Sequence, residues 1–155
     1  LQTGEFEQAL TQSNKTLQMD RHYPSAFQTL LRANIQLGRL AEAERALDEE
    51  LRMFPDKALI PWQAYLLARA GRVEQARVLF QAEGNRNRKN PHPSLGHAAA
   101  LLAMDGPDAA LAALSDSVSA HVGSMQWIWT APEMAPLRMD PRFREIASKT
   151  GRVLP

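Results

Sequence analysis

Four glycines, Gly4, Gly38, Gly71 and Gly106, recur at spacings of 34, 33 and 35 residues. No other feature constrains the fold as much. A unit of this length holds one helix pair, and one pair cannot bury its own apolar face, so successive units must stack. Each glycine opens the same short pattern, with a small residue five positions on: Ala9, Ala43 and Ala76. The fourth unit, Gly106-Pro-Asp-Ala-Ala-Leu111, carries Leu at that place with Ala110 beside it. Glycine adopts the left-handed conformation that closes a helix, so each of the four is expected to end one. The small residue then lets the next helix approach its partner. A larger side chain there would cost ~1–3 kcal/mol.

Apolar residues fall at helical spacing before the glycines. They are Phe27, Leu30, Leu31 and Leu37, then Trp62, Leu66, Leu67 and Ala70, then Leu95, Ala98, Ala99 and Leu102. The pattern predicts helices near 5–20, 25–37, 40–54, 57–70, 73–83, 94–105 and 107–120. Pro61 either kinks the fourth or moves its start to about 60. Met53-Phe54-Pro55-Asp56 reads as a stop followed by a fresh cap at Asp56. Asn85 to Ser94 reads as a polar loop. The last residues do not repeat. There Asp140-Pro141 starts a helix and Gly151 stops one, which gives a terminal helix over 141–150 with Phe143, Ile146 and Ala147 inward. Trp127 and Trp129 are expected to cover the apolar end of the array. The expected fold is all-α: a solenoid of antiparallel helix pairs over 1–121, then a capping segment over 122–155.

The chain has 18 basic and 17 acidic side chains, which makes no case for direct nucleic-acid contact. It has no cysteine, so thiolate metal sites and disulfides are excluded. No apolar run reaches the ~18 residues of a membrane span. His22, His92, His97 and His121 lack metal-ligand spacing, and His97 reads as a packed or rim residue. Ser115-Asp116-Ser117 near His121 lacks the strand and elbow of a hydrolase. No phosphate-binding glycine loop occurs. Asp105-Gly106-Pro107-Asp108 is a turn and helix start without the alternating oxygens of a calcium loop. The basic run Arg86-Asn-Arg-Lys89 has no interleaved aromatics and reads as a solvated loop. No catalytic residue, metal or cofactor is expected.

With its 34-residue helix–turn–helix unit, the chain resembles the tetratricopeptide repeat family over residues 1–121, as about three and a half repeats. The second repeat matches best, through Leu30, Gly38, Ala43, Leu47 and Pro55. Asn34 stands where the family has an aromatic, and Glu50 where it has a small residue. The resemblance implies a non-catalytic module that binds a protein or peptide on its concave face, lined by the first helix of each pair. Gln28, Arg32 and Gln36 form that face in the second repeat, Pro61, Tyr65 and Arg69 in the third, and Gly96, Ala100 and Met104 in the fourth. Arg32 and Arg69 would grip carboxylates. The family's Lys and Asn clamp is not reproduced.

The run Pro136-Leu-Arg-Met-Asp-Pro-Arg-Phe143, followed by Gly151, resembles the end of repeat regions in bacterial winged-helix transcriptional regulators. That resemblance implies an interaction or effector-sensing module in the bacterial cytoplasm, or in the periplasm if a membrane span precedes it. Similar repeat tails follow bacterial nucleotide cyclases and serine/threonine kinases. A self-association domain is the third alternative. The opening Leu1-Gln-Thr-Gly4 reads as the tail of a helix, and the chain as an excised fragment.

Overall fold

A computed structural model describes residues 3–56, 59–86 and 93–151. Among these residues the chain is all-α, with no strand. Its α-helices are α1 (Thr3–Met19), α2 (Pro24–Gln36), α3 (Leu40–Met53), α4 (Ile60–Arg69), α5 (Val73–Arg86), α6 (Leu95–Asp105), α7 (Pro107–Ser119) and α8 (Pro141–Ser148). Two 3-10 helices, Gly123–Trp127 and Pro132–Leu137, lie between α7 and α8. The chain divides into two compact units, residues 1–59 and 60–155.

In the first unit α2 packs on both α1 and α3. Its buried face carries Phe27, Leu31 and Ile35, and α3 contributes Ala43 and Leu47. The α2–α3 turn follows from Gly38, at φ +73°. Its N–H donates to the Ile35 carbonyl, and the Arg39 N–H donates back to Asn34. These two bonds form a Schellman closure, which satisfies carbonyls that the helix end leaves free. Arg39 then pairs with Glu7, Nη1 to Oε2 at 3.1 Å, which ties the turn to α1.

In the second unit α4 packs on α5 and α6, and α6 packs on α7. Gly71, at φ +79°, repeats the closure through Ala68 and Leu67. The end of α7 uses the same two bonds, from His121 to Val118 and from Val122 to Ser117. Here the left-handed position is held by a histidine, at φ +57°. Cation pairing adds a further tie, because Arg77 on α5 bonds Asp105 at the end of α6.

The small residues keep a common backbone role. The N–H of Ala43 donates to the Arg39 carbonyl and that of Ala76 to Arg72, the first bond of each second helix. Ala110, not Leu111, makes the equivalent bond, to Gly106. All three alanines are fully buried. The displaced small residue of the fourth unit therefore reflects a shortened turn. Gly106 alone serves as C-cap of α6 and N-cap of α7, where the α2–α3 turn spends Leu37 to Arg39.

Other expectations need correction. Gly4 lies in the first turn of α1, a helical position, so it does not close a helix as the other three glycines do. Of the two outcomes expected at Pro61 the later start holds: α4 begins at Ile60, with the proline in the first turn, where a missing N–H costs no bond. Asp56 is thus not adjacent to that helix and does not cap it. α5 continues through Arg86, so Asn85 and Arg86 are helical rather than loop. Residues 87–92, with His92 and the rest of the basic run, lie outside the described residues.

The segment between α7 and α8 has its own logic. Met125, Ile128, Ala131, Met134 and Leu137 are all buried, at a spacing of three. Three residues per turn is the 3-10 period, so one face of this segment stays inward. Trp127 is off that face and half exposed, contrary to expectation, while Trp129 stacks on Phe143 at 5.9 Å. Arg138 donates to the Trp129 and Ala131 carbonyls and closes the segment. α8 packs on α7, with Asp140 capping its start through the Arg142 N–H.

Candidate functional site

The candidate binding residues fall in both units and are largely engaged inside the chain. On α2, Gln28 donates from Nε2 to Glu50 Oε2 at 2.6 Å. Glu50 is fully buried on α3, so Gln28 helps to offset the cost of an interior carboxylate. Arg32 and Gln36 are half-buried on the same helix, and neither is without a partner. The first unit also holds an open cleft of about 480 Å³, lined by Asn14, Gln18, Phe27, Leu30, Glu49 and Met53 among others.

On α4 in the second unit, Tyr65 is buried and Arg69 is exposed. The Arg69 guanidinium donates to the Tyr65 hydroxyl at 2.9 Å and lies 5.8 Å from the ring centre. The tyrosine thus holds a cation at the surface in a fixed pose. Pro61, on the same stripe, is buried. Gly96 and Ala100 of α6 are buried as well, so they do not form an open apolar floor. Gly96 sits against Trp62 and Pro61, which makes it a packing residue.

A cluster that the sequence did not single out joins the end of α5 to the start of α6. The Ser94 N–H donates to His97 Nδ1 at 2.9 Å, and the Ser94 hydroxyl lies 2.8 Å from the same nitrogen. An Nδ1 that accepts carries no proton, so the ring proton sits on Nε2. That nitrogen faces Glu83 Oε2 at 3.3 Å. Glu83 is only 5 % exposed, and Phe80 meets the imidazole edge-on at 5.5 Å. Burial holds the His97 pKa below its ordinary value, against the pull of the Glu83 carboxylate, which raises it. The order Ser94–His97–Glu83 copies that of a hydrolytic relay. Its local geometry is a capping box, with histidine at the third helical position instead of Glu or Gln.

Ser117 of α7 is buried and donates to the Pro93 and Ala113 carbonyls at 2.6 and 2.8 Å. His121 is exposed at the α7 terminus. No group of three His, Cys, Asp or Glu side chains among the described residues is arranged to hold a metal ion. No helix among them is long and apolar enough to cross a membrane. The chain matches no protein-family model, no curated protein and no solved structure.

Proposed function

We propose that this chain is a non-catalytic, tetratricopeptide-type interaction or effector-sensing module of a bacterial transcriptional regulator in the cytoplasm. The repeat reading is supported by a recurring backbone device. Ala43, Ala76 and Ala110 each make the first bond of a second helix and each is fully buried. The succession of α4 on α5, α4 on α6 and α6 on α7 agrees with stacked helix pairs.

The partner is an extended peptide with acidic side chains or a free carboxylate. Arg69 carries this reading, since Tyr65 pre-orients its guanidinium at the surface and leaves other donors for a ligand. Arg32, half-buried on α2 between Gln28 and Gln36, is the corresponding cation proposed for the first unit. Titration with a library of acidic peptides tests the proposal, using wild type, Arg32→Glu and Arg69→Glu, with helical content checked by circular dichroism. Each reversal is expected to weaken binding at least tenfold. Unchanged affinity in both folded variants sinks the proposal.

A further inference from the structure

The cluster at the α5–α6 junction carries a consequence beyond peptide binding. One of its bonds, from the Ser94 N–H to Nδ1, forms only with a neutral imidazole. Nδ1 must be bare to accept the Ser94 N–H, and Nε2 must keep its proton for Glu83. Glu83 from α5 is the charged group acting on this ring; α4 and α7 supply none among the described residues. The geometry points to a pH-sensitive helix start: protonation of Nδ1 removes the acceptor from the Ser94 N–H and breaks one of the two reciprocal bonds of the α6 capping box, while the imidazolium stays on Glu83 as an ion pair.

Two opposing effects decide the direction. The carboxylate favours the imidazolium, whereas burial and the lost cap oppose it. The depressed His97 pKa says that burial wins. A histidine that is harder to protonate when folded binds fewer protons than the unfolded chain just below pH 6.5. Its contribution is therefore fully present above pH 6.5 and is lost as pH falls below that value. Because Ser94 is the N-cap, the loss is local to the first turn of α6.

Nitrogen-15 NMR of the whole chain between pH 8 and 5 tests this. Above pH 7, Nδ1 should show the shift of an unprotonated nitrogen and Nε2 that of a protonated one. The ring should titrate below 6.5, and the Ser94 amide should move with the same midpoint. In His97→Gln, which keeps a capping-box acceptor without a titrating group, the Ser94 amide should stay fixed. Glu83→Gln should lower the midpoint further, and this readout remains if the glutamine variant fails to fold. A proton on Nδ1 at pH 8, a Ser94 amide indifferent to pH in the wild type, or one that moves equally in His97→Gln overturns the inference.

Discussion

Gly96 lies against the indole of Trp62, and a Cβ placed on it would meet Cε2 at 3.1 Å and the Pro61 ring at 3.2 Å. Both neighbours are stiff rings, so neither gives way cheaply. Helix propensity favours alanine over glycine by ~1 kcal/mol. Overpacking costs ~1–3 kcal/mol. Gly96→Ala is therefore expected to be neutral to ~2 kcal/mol destabilising by urea denaturation. In a Trp62→Ala background the same change should become less costly. A cost unaltered by removal of the indole would contradict the contact.

His121 holds a left-handed position that Gly38 and Gly71 fill in the equivalent closures. An L side chain in that conformation costs ~1–2 kcal/mol. His121→Gly should stabilise the chain by up to ~1 kcal/mol, since flexibility gained by the unfolded chain offsets part of the relief. Gly38→Ala and Gly71→Ala should each lose ~1–2 kcal/mol. Midpoints of chemical denaturation compare all three, and a destabilised His121→Gly would mean the side chain makes a compensating contact.

Gln28 belongs to the proposed binding stripe but also serves the buried Glu50. Gln28→Ala should cost ~1–3 kcal/mol, the penalty for weakening the support of an interior polar group. Affinity changes in that variant are interpretable only after its stability is measured. A Gln28→Ala chain as stable as wild type would show that Glu50 is satisfied without it.

Asp140 caps α8 and bonds Arg142, which bonds Asp108 in turn. The Arg142 side-chain bond is the largest cause holding the Asp140 carboxyl below its ordinary 3.8. A depressed carboxyl pKa stabilises the fold above the unfolded value and loses that support as pH falls below it. Acid titration should weaken the first turn of α8 as pH falls below the ordinary carboxyl value, seen as early shifts of the Arg142 amide. In Asp140→Asn, which cannot titrate, this acid step should vanish.

Much of the scaffold was legible because helix closure leaves a local mark. Gly38 and Gly71 announce left-handed turns, and the apolar spacing before them announces helices. Gly4 carries the same spacing but lies inside α1 without a positive φ, because spacing alone does not fix a glycine's backbone conformation. In the fourth unit the backbone bond of Ala110, not a fixed count of five from Gly106, sets the register. The capping segment after α7 is expected, but its internal order is hidden because its apolar residues repeat every three positions instead of at the α-helical 3.6. At the candidate site, the sequence could place Arg32 and Arg69 on helix faces. It could not show that Tyr65 orients one of them, or that Glu83 and His97 meet. The Ser94-x-x-His97 spacing was the available signal, hidden by a histidine where capping boxes carry Glu or Gln.

The one-residue corner at Gly106 leaves no slack between α6 and α7. A three-residue turn has several soft torsions that absorb a small rotation of one helix before its partner feels it. A single glycine has two. A change in the angle between α6 and α7 therefore falls mainly on φ and ψ of Gly106.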